Sequence, residues 1–229
     1  MTDKGLRILV IDDEPQIRKL LRVSLSAHGY EIDEAATGEE GINRLAIFKP
    51  DLAIVDLGLP DMDGKAVVKA IREWSQTPLV VLTARDQEQE KIEALDAGAD
   101  DYVTKPFSVG ELMARMRVSF RRAATAENEP VINCGDLVVD LLQRRVTVAE
   151  KEIKLTPTEY ELIKVLAQHR GRVLTHRQLL KAVWGTAYNE DTHYIRVYIG
   201  QLRRKIEANP TQPRHIITES GVGYRLMEH

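Results

Sequence analysis

Five polar side chains stand where short apolar runs end. Asp12 and Asp13 follow residues 8–11, Asp56 follows 52–55, Thr83 follows 79–82, and Lys105 comes just after Tyr102 and Val103. If those runs are parallel strands, all five lie on one edge of one sheet. Three carboxylates converging there repel one another unless a cation joins them, and a set of hard oxygen donors suits Mg2+. Asp56 is then a candidate nucleophile, because a carboxylate accepts a phosphoryl group once a metal ion and a lysine neutralise the developing charge. Singly these features are ordinary: an acidic pair after a strand commonly caps a helix, and Lys105-Pro106 reads as a turn. Their joint placement at four strand ends favours chemistry.

The elements that must hold these residues are legible in the hydrophobic pattern. Buried strands are expected near 6–11, 52–55, 79–82 and 102–103, with an edge-like strand at 31–35. Segments 15–28, 38–48, 64–74, 87–97 and 108–121 have helical spacing. Five strand–helix alternations specify a doubly wound α/β domain with a parallel sheet covered on both faces. We assign it to residues 1–122.

Residues 123–130 are small and polar and form a connector. Beyond them, in a second domain over 131–229, residues 131–155 read as short strands. Thr156-Pro157-Thr158-Glu159 then has an N-cap, a proline at the first helical position and a glutamate three residues after the cap, with Gly171 as the stop. Thr175 to Gln178 repeats the box and opens a helix through Val183. A third helix is expected at 191–207, and a hairpin from 215–218 and 223–226. This is a winged helix-turn-helix in outline.

Charge separates the halves. Residues 1–122 carry 17 Lys and Arg against 22 Asp and Glu, a net of −5, whereas 130–229 carry 15 against 11, a net of +4. An acidic half joined to a basic half fits a protein whose second domain meets a polyanion. One cysteine, Cys134, excludes intramolecular disulfides. The apolar run near the N-terminus passes straight into acidic residues, unlike a signal peptide, and no stretch has the ~18 apolar residues that span a bilayer, so a soluble cytoplasmic protein is expected.

In the third helix of the basic half, Ile195, Ile199, Leu202 and Ile206 form one apolar stripe. His193, Arg196, Gly200 and Arg203 fall on another face, flanked by Arg204 and Lys205, and Arg225 follows Tyr224 in the hairpin. A charged helix face is usually only solvated, but with two capped helices before it and a glycine-containing hairpin after it, this one is a candidate DNA reader. Gly200 inside the helix costs ~1 kcal/mol relative to Ala.

The segments VIDDEP, IVDLGLPDMDG, VVLTAR and ALDAGADDYVTKPF resemble the signatures of response-regulator receivers, a flavodoxin-like fold. LTPTEYELIKVL, LTHRQLLKAVWG, THYIRVYIGQLRRKIE and ESGVGYR resemble the effector domain of the OmpR/PhoB class. Within that class, HYIRVYIGQLR is most similar to regulators of a high-affinity potassium-uptake operon. The resemblance implies phosphorylation of Asp56 by a sensor histidine kinase, with Mg2+ held by Asp13, Asp56 and the backbone carbonyl of Gly58, and Asp12 assisting. Lys105 would pair with the phosphoryl oxygens, and Thr83 and Tyr102 would be the switch pair. It also implies a homodimer on phosphorylation, with Lys91–Glu111, Asp101–Arg115 and Asp100–Arg122 pairing across the two-fold axis, and binding to double-stranded promoter DNA where RNA polymerase acts. The chain departs from the class at Glu219-Ser220, where many members carry a basic or bulky residue before the first wing glycine.

Two other functions fit less well. A phosphatase of the haloacid-dehalogenase type needs a second aspartate two residues after its nucleophile, and that place is Gly58. An RNA-binding output would show clustered aromatics for stacking, and those of the basic half are spread out.

Overall fold

The computed structural model describes residues 5–84, 88–125, 129–185 and 192–228. The chain divides into two units, Met1–Thr125 and Ala126–His229. In the first, β1 (Arg7–Ile11), β2 (Glu31–Ala35), β3 (Leu52–Asp56), β4 (Leu79–Ala84) and β5 (Asp101–Lys105) alternate with α1 (Pro15–Ala27), α2 (Gly38–Phe48), α3 (Gly64–Arg72), α4 (Glu88–Ala97) and α5 (Val109–Thr125). The strands form one parallel sheet in the order β2-β1-β3-β4-β5. Every residue of β3 is buried, as a strand covered on both faces requires, whereas edge strand β2 buries only Ala35.

The chain leaves β1 toward one edge of the sheet and returns as β3 on the other side of β1. That reversal opens a crevice at the carboxyl ends of β1 and β3, where ligands of such sheets bind. Loops around the crevice are tied down by caps. Both carboxylate oxygens of Asp61 accept backbone N–H groups at the start of α2, from Gly38 at 2.8 Å and Glu39 at 2.9 Å. Gly64 rests on the backbone carbonyl of Asp56, which a Cβ would strike, so only glycine lets α3 begin so close to the end of β3.

In the second unit, β6 (Val131–Cys134), β7 (Leu137–Asp140), β8 (Arg145–Val148) and β9 (Lys151–Glu152) make an antiparallel sheet in sequence order. They are followed by α6 (Pro157–Gln168), β10 (Val173–Thr175), α7 (His176–Trp184), α8 (Thr192–Ile206), β11 (Ile216–Glu219) and β12 (Gly223–Leu226). Both capping boxes are formed: Thr156 with Glu159 on α6, and Thr175 with Gln178 on α7. The stripe of α8 is fully in the core, Ile195, Ile199, Leu202 and Ile206 each being at most 2 % exposed. Burial of each stabilises the domain by about 1.5–3 kcal/mol.

Three differences from the sequence reading have physical causes. The terminal hairpin is part of a three-stranded sheet, β10-β12-β11, because Val173–Thr175 pairs with β12. Three residues leading straight into a capping box give too short a strand signal to read. Helix α5 continues through Thr125, so residues 123–125, read as connector, are helical, as alanines favour. Helix α3 stops at Arg72 rather than 74. The expected start of the third helix at residue 191 lies outside the described residues. No described helix is long and apolar enough to cross a membrane.

Candidate functional site

The crevice gathers Asp12 and Asp13 from the end of β1, Asp56 from β3 and Lys105 from β5. One carboxylate oxygen of each aspartate lies within 4.8 Å of the others. The Lys105 ammonium is 3.0 Å from Asp56 Oδ1, 3.1 Å from Asp12 Oδ2 and 3.1 Å from Glu14 Oε1. Asp12 is fully buried and Asp56 is 7 % exposed, whereas Asp13 is exposed. Burial pushes the Asp12 carboxyl above its ordinary pKa, with the neighbouring Asp56 charge adding to that and a backbone bond from Glu14 and the Lys105 cation opposing it. Burial alone would lower the Lys105 pKa, but its bonds to Asp56 and Asp12 outweigh that and hold it above the usual lysine value. An all-oxygen donor set of two buried carboxylates and one exposed carboxylate fits a hard divalent cation such as Mg2+.

A cleft of about 470 Å³ opens over these groups, with Gly58, Leu82, Thr83 and Glu90 on its walls. A Cβ at Gly58 would stand 3.4 Å from Asp56 Oδ2, so this backbone lies close against the carboxylate. Thr83 is buried at the end of β4, and Tyr102 is 7 % exposed in neighbouring β5. The Tyr102 ring has the Lys91 ammonium 5.6 Å and the Arg115 guanidinium 5.7 Å from its centroid.

Sequence reading missed two parts of this site. Glu14 is a third carboxylate on Lys105, hidden in an acidic run. Arg18, one turn into α1, donates from Nη1 to the backbone oxygens of Asp12 at 2.6 Å and Asp13 at 2.9 Å, fixing the peptide that aims both carboxylates. No local pattern marks such a bond.

In the second unit, His193, Arg196 and Arg204 are exposed on α8, and no described residue stands within 4 Å of where a Gly200 Cβ would be. Arg203 instead turns into the domain, donating to the Ile216 carbonyl at 3.1 Å from Nε and 2.6 Å from Nη2, and to Thr218 Oγ1 at 2.8 Å, with its guanidinium 5.7 Å from the Tyr224 ring centroid. Arg225 is 8 % exposed, pairing with Glu219 at 2.9 Å and donating to the Gly171 carbonyl at 2.9 Å. The Glu207 carboxylate accepts the N–H groups of Arg214, His215 and Ile216 at 2.8–3.0 Å, tying the end of α8 to β11.

Residues 8–117 match the response regulator receiver domain family, and residues 150–226 match the family of transcriptional regulatory protein C-terminal domains. The chain belongs to the two-component response regulators of the OmpR/PhoB type. It is 49 % identical over 221 residues to the KDP operon transcriptional regulatory protein KdpE of Escherichia coli K12, covering 96 % of this chain and 98 % of that one. Identity and coverage are the same to the transcriptional regulatory protein KdpE of Mycobacterium tuberculosis H37Rv. The response regulator MprA of Mycobacterium sp. KMS is 42 % identical over 226 residues, 97 % of this chain and 98 % of that one. Among solved structures, a mutant of RitR is similar over 98 % of this chain and 100 % of its own, at 27 % identity and a TM-score of 0.51.

In this response regulator Asp13, Asp56, Gly58, Thr83 and Lys105 therefore stand around one cleft, with buried Asp12 clustered behind them against Lys105. The residues expected at a dimer interface make bonds within one chain: Asp100 accepts Arg72 at 2.6 Å, Asp101 accepts Arg115, and Glu111 stands 3.6 Å from Arg115. The side chain of Arg122 lies outside the described residues. Of the expected DNA contacts, Arg203 and Arg225 donate within the winged-helix domain in this structure, to internal carbonyls and to Glu219, and exposed guanidinium on α8 comes from Arg196 and Arg204.

Proposed function

We propose that this response regulator takes a phosphoryl group on Asp56 from a sensor histidine kinase, forms a receiver homodimer, and binds promoter DNA in the cytoplasm to direct RNA polymerase at a potassium-transport operon. The observation that carries the reading is the Lys105 ammonium held 3.0 Å from Asp56 Oδ1 among three clustered aspartates. Asp56 attacks the phosphorus, the bond to the donor imidazole breaks, its electron pair leaves with the imidazole, and an acyl phosphate forms. Lys105 stands beside the attacking carboxylate and offers its positive charge to the phosphoryl oxygens. Asp12, Asp13, Asp56 and the Gly58 carbonyl would hold Mg2+, which when bound neutralises charge on those oxygens.

Hydrolysis of the acyl phosphate by water in the same cleft returns the resting state, so the protein acts on itself and turns over no small metabolite. Thr83 and Tyr102 act as the switch: the phosphoryl group draws the hydroxyl, the ring follows, and the population shifts between two arrangements of that surface. Lys91, Glu111, Asp100, Asp101, Arg115 and Arg122 serve the phosphorylated dimer in the other arrangement, which requires exchange of the pairs made within one chain. The potassium reading is supported by the 49 % identity to two proteins named KdpE, one described by the KDP operon.

Incubation with acetyl phosphate and Mg2+, read by intact mass, tests the first step. One phosphoryl group is expected on the wild type and none on Asp56→Asn; equal labelling of both would overturn the assignment. Sequencing the genomic fragments that the protein retains tests the second, and potassium-transport promoters are expected among them.

A further inference from the structure

We propose that Val197 and Gly200 form the base-reading seat of α8, an open apolar spot that takes the C5-methyl group of a thymine in the major groove and so fixes one operator position. The inference rests on the DNA-binding reading above and adds which base the helix selects.

The geometry starts from the buried stripe of Ile195, Ile199, Leu202 and Ile206. At about 100° of rotation per residue, the direction opposite that stripe runs through His193, Val197, Gly200 and Arg204. Arg203 falls on the flank, where it is bonded to β11. Val197 is 43 % exposed at the centre of the outward face. An exposed valine is by itself unremarkable, but this one lies one turn from a glycine that the domain does not need.

Gly200 is inside a helix, where glycine is unfavourable, and it is not among the residues with positive φ. Among the described residues, a Cβ there would meet nothing within 4 Å. Neither packing against those residues nor backbone conformation therefore requires glycine. The missing side chain leaves this helix surface open to something outside the chain, and the exposed Val197, three residues before, makes the neighbouring surface apolar. Arg196 and Arg204, both exposed, border it with positive charge suited to a polyanion.

Duplex DNA offers one apolar group on its major-groove base edges, the thymine methyl. Turned to the same seat, cytosine offers only a C5–H and leaves it unfilled, while a purine edge leaves an acceptor facing a valine, unpaired and desolvated. The seat thus attracts thymine and penalises its alternatives.

The test uses the full-length, phosphorylated protein and a duplex selected by the wild type from a random-sequence library. Each thymine is replaced in turn by deoxyuridine, which removes only the methyl. At one position per half-site the replacement is expected to weaken wild-type binding by about fourfold, the effect of one buried methyl-sized group. With Val197→Ala the same replacement should change affinity by less than twofold. Gly200→Ala should fold with equal or greater thermal stability and yet lose affinity for the selected duplex more than for a scrambled one. If no single replacement weakens the wild type twofold, or if the fourfold effect persists in Val197→Ala, the seat is wrong while DNA binding stands. If the wild type selects no sequence and binds all duplexes alike, the DNA-reading function falls and the seat with it.

Discussion

Arg115 reaches Asp101 with one guanidinium nitrogen 3.0 Å from each carboxylate oxygen, and the aspartate so held is 3 % exposed. Asp101 Oδ1 also accepts the Tyr102 backbone N–H at 2.9 Å, so the pair braces the strand that carries Tyr102. Arg115→Ala leaves a buried carboxylate short of a charged partner. The unphosphorylated protein should lose about 1–3 kcal/mol in urea denaturation. A loss below ~0.5 kcal/mol would mean that the bond within one chain adds little to stability. In the phosphorylated protein the same variant should raise the dimer dissociation constant measured by ultracentrifugation.

Glu159 supplies a pH-dependent contribution in the second domain. Burial at 2 % exposure works to raise its pKa, but the Lys205 ammonium 2.6 Å away and the Thr156 backbone N–H outweigh it and hold the carboxyl below its ordinary 4.5. A group whose folded pKa is depressed stabilises the fold above its unfolded pKa, and that contribution fades as pH falls through the folded value. Stability relative to Glu159→Gln should therefore be constant above pH ~5.5 and shrink steadily below ~4.5. Thermal melts of both proteins at a series of pH values check this, and a parallel pair of curves would refute it.

Cys134 should be inert in the native protein. It is fully buried, and that burial pushes its thiol up to about 11, with the Arg170 charge opposing. A maleimide at pH 8 should label it only after denaturant is added. Rapid native labelling would show that the sheet of β6 to β9 opens readily.

How much of this could be read from the sequence depended on how local each cause is. The strand ends that carry Asp12, Asp56, Thr83 and Lys105 follow from apolar runs, and the helix starts at Thr156 and Thr175 from capping boxes four residues long. The Arg18 bond to the Asp12 carbonyl, the Glu207 grip on residues 214–216 and the turn of Arg203 onto Ile216 depend on how the chain folds back on a helix from the adjoining loop or strand, which no residue spacing encodes. Arg203 shows the limit most clearly. Two helical turns from Arg196, it shares that face by periodicity, but it sits between the buried stripe and the outward face, close enough to the Ile216 carbonyl to be drawn inward.

That difference separates the two arginines experimentally. Arg203→Ala removes three hydrogen bonds that fasten α8 to β11 and uncovers the Tyr224 ring, so it should lower domain stability by about 1–3 kcal/mol. It should also weaken every duplex alike, because a wing set loosely against its helix docks poorly on any sequence. Arg196→Ala removes an exposed side chain and should leave stability within ~0.5 kcal/mol. Lying nearer the N-terminal end of α8, which enters the groove more deeply, it should relax preference at one base position by ~1–3 kcal/mol. Binding titrations of both variants on selected and scrambled duplexes, over a range of salt, distinguish the roles when paired with thermal melts. An Arg203→Ala protein of wild-type stability whose salt slope falls by ~1 would instead make Arg203 a phosphate contact, its bonds to β11 yielding when DNA arrives.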